Sequence, residues 1–216
     1  MLKRSDWTRE KLEDFISRMT GVTVPVNTRL EGQQRVMDLS EVESILREAK
    51  VTALGDCYCR KEMKRCDAPV DVCVSIDGRA QSNVERGFAK RASLRQALEA
   101  LTRTHEAGLV HLAFTFKDDG KIGYVCSCCS CCCHSLSAMI RFGMPGATVA
   151  SRYIATNNVT TCTNCGICVD RCQFKARRLE DGRLVYDQTR CFGCGVCVSK
   201  CPTGSIVLVE RRQRKS

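Results

Sequence analysis

The amino-acid sequence predicts an α+β fold in two parts, a cysteine-rich α+β domain over residues 1–146 and a smaller domain over residues 147–216. Three observations carry this expectation. Eighteen cysteines in 216 residues mark a chain organised by metal or disulfide as well as by an apolar core. In the last quarter, Cys162, Cys165, Cys168 and Cys172 recur 29 residues on as Cys191, Cys194, Cys197 and Cys201, an internal repeat. Ahead of the repeat, stretches of helical periodicity alternate with short apolar strands.

The elements follow in order. Residues 5–20 read as an amphipathic helix capped by Ser5 or Asp6, with Leu12, Phe15, Ile16 and Met19 as its stripe and Gly21 as its stop. Trp7 is expected to pack at its start. Val22–Val26 and Val36–Met37 are strand candidates on either side of Glu31-Gly32. Ser40-x-x-Glu43 is a capping box for a helix with Val42, Ile45, Leu46 and Ala49 on its apolar face. Val51–Leu54 reads as a strand. Ser82-x-x-Glu85 starts a short helix and Ser93-x-x-Gln96 a longer one, striped by Leu94, Ala97, Leu98 and Leu101 and closed by Gly108. Leu109–Phe116 and Ile122–Val125 form a hairpin about Asp118-Asp119-Gly120. His105 and His111 flank these elements as ordinary surface or core polar groups. Leu136–Phe142 is a short helix, Met144-Pro145-Gly146 a turn at the domain boundary, and Val149–Ile154 leads into the second domain. There, Leu184–Tyr186 and Ile206–Val209 read as strands of one small sheet.

The repeat carries the chemistry. Each half is C-x2-C-x2-C-x3-C, and the second is closed by Pro202. Two such runs in register have the spacing that ligates a pair of 4Fe–4S cubanes, three thiolates on one tight loop and the fourth reaching across to the other cluster. This assigns Cys162, Cys165, Cys168 and Cys201 to one cluster and Cys191, Cys194, Cys197 and Cys172 to the other. Gly166, Gly193 and Gly195 allow the positive φ that turns backbone N–H groups toward sulfur. Ile167, Val169, Val196 and Val198 supply apolar walls. On these residues, 158–210 resembles a bacterial-type two-cluster ferredoxin. Gln173 stands where that family usually has proline, which loosens the turn after Cys172 and removes no ligand.

Ten further cysteines lie upstream. Cys57-x-Cys59, Cys66 and Cys73 occupy a polar, basic, loop-like stretch interrupted by Pro69, where Arg60, Lys61, Lys64 and Arg65 are expected to favour thiolate. Cys126, Cys128, Cys129, Cys131, Cys132 and Cys133 put six cysteines in eight residues, too close for unstrained neighbouring disulfides. His134 follows as a further candidate ligand. Covalent c-type haem is disfavoured because the string contains no C-x-x-C-H. Ten thiols suffice for one or two further 4Fe–4S clusters, with zinc or a redox-active dithiol as alternatives. The order C-x-C-R, C…P…C, G-L-V-H and C-x-C-C-x-C-C-C resembles a cysteine-rich module attached to two-cluster ferredoxin domains in anaerobic microbes, beside larger oxidoreductases.

The absence of an apolar leader and of any apolar run approaching a membrane span leads to the expectation of a cytoplasmic, reducing setting, in which clustered cysteines bind metal. The formal charge is +10, partly offset once thiolate-ligated clusters are counted. Arg211, Arg212, Arg214 and Lys215 form a basic tail, a solvated terminus or a docking surface for an acidic partner. No motif supports nucleic-acid binding, and neither G-x-G-x-x-G nor a Walker A sequence is present. The leading expectation is an iron–sulfur electron-transfer protein serving a larger anaerobic oxidoreductase. The alternative is a reductase whose N-terminal cluster or dithiol is the catalytic site.

Overall fold

The computed structural model describes residues 5–24, 28–29, 36–37, 40–144 and 146–211. In chain order the elements are α1 (Arg9–Arg18), β1 (Met19–Val24), β2 (Thr28–Arg29), β3 (Val36–Met37), α2 (Ser40–Glu48), β4 (Thr52–Gly55), α3 (Tyr58–Met63) and β5 (Cys73–Ile76). Then come α4 (Asp77–Glu85), β6 (Ala89–Arg91), α5 (Leu94–Glu106), β7 (Val110–Phe116), β8 (Ile122–Cys128), α6 (His134–Arg141) and β9 (Thr148–Val149). The C-terminal part holds β10 (Tyr153–Asn157), α7 (Ile167–Asp170), β11 (Arg177–Glu180), β12 (Arg183–Tyr186), α8 (Val196–Ser199) and β13 (Ile206–Glu210).

A seven-stranded sheet in the order β6-β4-β5-β8-β7-β1-β9 organises the larger part. All its pairings are antiparallel except β1 with β9. The hairpin β7–β8 lies near its middle and is buried on both faces, so β7 reads as a nearly unbroken apolar run. Ala113 and Val125 face α2 and α5, packing with Leu46, Ala97 and Leu101. Val110, Leu112 and Phe114 face the opposite way, onto Leu136 of α6 and onto Phe174 and Val196 of the C-terminal part. Because strand side chains alternate, Cys126 and Cys128 fall on this second face. The sheet therefore separates a conventional helix-covered core from a thiol-rich layer.

The smaller part runs from β10 to β13. It contains two separate strand pairs, β10–β13 and β11–β12, so the expected strands at 184–186 and 206–209 belong to different ribbons. Each four-residue helix starts from a glycine of positive φ, Gly166 at 79° and Gly195 at 76°, at equivalent places in the repeat.

Several elements differ from the sequence expectation. Helix α1 starts at Arg9, capped by the Thr8 side chain, and ends before Met19; Gly21 lies inside β1, where a Cβ would press on the Phe114 ring at 3.1 Å. Close sheet packing, not helix termination, requires that glycine. Ser40 is already helical, so the N-cap of α2 falls outside the described residues, as do Glu31-Gly32 and Pro145. The helix near Ser82 starts earlier, directly from β5 through Asp77, whose φ is 51°. The stretch after Cys57 forms α3 instead of a loop, and Cys73 opens β5. Helix α5 has the expected capping box of Ser93 and Gln96.

Candidate metal centres

All eighteen cysteines are free thiols in the structure. The repeat brings its own together across the two motifs. Cys162, Cys165 and Cys168 line one pocket, and Cys201 of the second motif completes it, with Leu184 and Ile206 as apolar walls. Burial pushes the Cys168 thiol up. Burial acts the same way on Cys201, but hydrogen bonds from Ser205 and Thr203 outweigh it and bring that thiol down to about 7. In the other set, Cys194 lies in the field of Cys197, Cys172 and Cys191, and its thiol is raised by burial; burial pushes Cys197 up to about 12. The Cys172 Sγ accepts the Ala176 N–H at 3.3 Å. Cys168, Cys194 and Cys197 are thus buried thiols whose ionisation needs a compensating positive charge, as a metal would supply. The donor set fits two thiolate-ligated iron–sulfur clusters.

Between the two sets lies Arg177, 3 % exposed. Its Nη1 donates to Asn157 Oδ1 at 2.8 Å, its guanidinium stacks over Tyr186 at 4.2 Å, and Cys168, Cys191 and Cys197 surround it. Its Nη2 has no acceptor in the protein. A buried donor left unpaired is costly, and an anionic sulfur cluster on either side is an acceptor of the right sign. Sequence reasoning passed over Arg177 because it sits after the motif, on β11, among other arginines.

Residues 161–205 match the family model of the 4Fe-4S dicluster domain. The C-terminal segment is thus an iron–sulfur, ferredoxin-like domain, and the match spans about a fifth of the chain. No curated protein matches the chain. The remainder rests on its own geometry.

The ten upstream cysteines separate into two groups. Cys66, from the loop after α3, meets Cys129, Cys131 and Cys132, from the turn after β8, with all four Sγ atoms within 4.8 Å of one another. The other six form a line in which each thiol neighbours the next, in the order Cys57, Cys59, Cys133, Cys128, Cys126, Cys73. Thiol hydrogen bonds from Cys128 and Cys59 lower Cys133 to about 6, and those from Cys128 and Cys73 hold Cys126 well below the usual range. Hydrogen bonding with Cys59 and burial push Cys57 up. His134 borders this line, its Nδ1 3.4 Å from Cys59 Sγ, its ring stacked on Phe15 at 4.2 Å and held neutral by burial, which lowers it to about 4. Its Nε2 is buried without a partner.

The expected thiolate-favouring role of four basic neighbours reduces to one. Lys61 pairs with Asp56 and Arg65 with Asp6 at the surface, and Lys64 closes α3. Arg60 alone turns inward, 3 % exposed, donating Nη1–H to Ser127 O at 2.7 Å. It lies between Cys57 and Cys128 of the line and Cys129 of the compact group, with Nε and Nη2 unpaired. Each thiol-rich region thus holds one buried arginine with orphan donors.

Gln173 couples the two regions. Its Oε1 accepts from Ser130 N at 3.0 Å and Ser130 Oγ at 2.8 Å, inside the cysteine string, while its Nε2 donates to Gly108 O at 3.3 Å. A proline there could make none of these bonds. His105 Nε2 to Ser199 Oγ at 2.6 Å, and Thr23 Oγ1 to Phe192 O at 2.7 Å, tie the same parts together. Of the basic tail, Arg211 is not free: it donates to Ser151 O and Cys191 O. Arg212, Arg214 and Lys215 lie outside the described residues.

Proposed function

We propose that this chain is an electron-transfer protein that relays low-potential electrons to or from a larger oxidoreductase. One 4Fe–4S cluster is assigned to Cys162, Cys165, Cys168 and Cys201, the other to Cys191, Cys194, Cys197 and Cys172. The observation that carries the reading is the pocket in which Cys201 of the second motif stands with three thiols of the first. Such clusters supply one-electron chemistry at potentials set by charge, burial and hydrogen bonds to sulfur. Arg177 contributes positive charge between the two sets, while Val196, Val198 and Ile206, all buried, limit water.

The six-thiol line gives the relay a further cluster. Arg60, buried in the field of Cys57 and Cys128 with two donors unpaired, supports an anionic group there. Gln173 and the packing of Phe174 and Val196 against β7 keep this region fixed against the ferredoxin-like part, the rigidity an electron path requires. Among the described residues no helix is long and apolar enough to cross a membrane. The proposed redox partner is a protein in an anaerobic cytoplasm, and no nucleic acid is involved.

The test is anaerobic redox titration followed by EPR. Reversible low-potential reduction is expected, with Cys201→Ser and Cys172→Ser each depleting a different signal of the ferredoxin-like part. A chain that takes up no electrons reversibly, or two variants that deplete the same signal, would sink the assignment.

A further inference from the structure

We propose that Cys66, Cys129, Cys131 and Cys132 hold a single zinc ion, distinct in kind from the iron–sulfur clusters. The spacing of the sulfurs carries the inference. Cys66 Sγ lies 3.7 Å from Cys129 Sγ and 3.9 Å from Cys132 Sγ, and Cys131 Sγ lies 3.8 Å from Cys132 Sγ. Zn–S bonds of about 2.3 Å meeting at tetrahedral angles put their sulfurs about 3.8 Å apart. A disulfide needs about 2.05 Å and would pair two thiols, not gather four. A cubane's thiolates stand off the corners of an iron–sulfide cube and so lie farther apart than ligands converging on one ion.

The chain provides its own comparison. Among the described residues, no other set of three or more histidine, cysteine or acidic ligand atoms is as close together as this one. The eight thiols of the ferredoxin-like part form no such tight group, whereas these four are spaced for an ion. Zinc suits the donor set because four thiolates close a tetrahedral structural site with no open position.

The surroundings fit a structural role. Trp7 donates its indole N–H to Cys132 O at 2.8 Å, and Met63, Leu109 and Ala138 pack around the site. Asp6 bridges Arg65 at 3.1 Å and Arg141 at 2.5 Å across its outer side. The ion would tie the loop after α3 to the end of the central hairpin, where Cys129 and Cys132 are buried with no partner strand.

The experiment is metal and sulfide quantification on the anaerobically purified full chain, with zinc K-edge X-ray absorption on the same sample. One zinc per chain with four sulfur neighbours is expected. Cys66→Ser and Cys132→Ser should each lower zinc at least tenfold and leave iron, sulfide and the cluster EPR unchanged. If those variants fail to fold, the wild-type absorption edge still decides between four sulfurs and any other shell. The inference is overturned if zinc is absent, if nitrogen or oxygen ligands appear, if the Cys66→Ser loss is four irons, or if a mononuclear ferric signal appears instead. None of these outcomes bears on reversible reduction of the ferredoxin-like part, so failure here is distinguishable from failure of the electron-transfer reading.

Discussion

Replacing Arg177 by glutamine isolates the effect of one buried charge on two clusters. The guanidinium is enclosed by Cys168 of one set and by Cys191 and Cys197 of the other, and it remains charged at any working pH. Reduction adds negative charge to a cluster, so a nearby cation stabilises the reduced form, and its removal lowers the potential. A unit charge about 7 Å from a cluster centre at an effective dielectric constant of about 20 is worth about 2.4 kcal/mol, or roughly 100 mV for one electron. Arg177→Gln should therefore shift both potentials downward by roughly 100 mV, with Arg177→Lys returning much of the loss. Protein-film voltammetry on the anaerobic chain reads both potentials directly. Iron and sulfide content must be checked in parallel, because Arg177 also donates to Asn157 and covers Tyr186. Potentials unchanged within about 20 mV in a fully loaded variant would refute the reasoning, and the orphan Nη2 would need another acceptor.

Other expectations follow from the same packing. Gln173→Ala removes three partly buried hydrogen bonds, two from Ser130 in the cysteine string and one to Gly108 O, and should cost about 2 kcal/mol; anaerobic denaturant unfolding measures it, and an unchanged midpoint would contradict the coupling. Leu136→Ala empties a fully buried site between α6 and β7 and should cost about 3 kcal/mol in the same assay. His105 and His111 are held neutral by burial, lowered to about 4 and about 3, with Lys200 and Arg171 adding repulsion at His105. Because the unfolded chain binds these protons below its ordinary histidine value, the stabilisation is complete above pH 6.5 and is lost as pH falls toward about 4. Between pH 6.5 and about 5 the loss is about 2 kcal/mol per histidine. The double variant His105→Gln/His111→Gln should flatten that slope relative to wild type; an identical slope would exclude the pair as its source.

The sequence by itself determined the chemistry of the C-terminal segment, because its pattern is local: six of the eight thiols lie on two short loops whose spacing and glycines dictate the turn, and the duplication supplies a fourth cysteine after each loop, Cys172 and Cys201. It also determined α5 and the central hairpin, where a capping box and an unbroken apolar run leave little choice. Met19–Gly21 was misread as the end of a helix because helical periodicity ran on into β1, whose Gly21 is required by the Phe114 ring across the sheet, whereas the strand expected from Val22 is the rest of β1. The N-terminal thiols were legible as ligands but not as groups. Cys66 reaches Cys129 across 63 residues of sequence, Cys59 meets Cys133 from a different helix, and Cys73 meets Cys126 because β5 and β8 are neighbours in the sheet. Which thiol stands beside which, and which arginine turns inward, are contacts between distant segments. Strand order and packing decided them, since neither leaves a periodic trace along the chain.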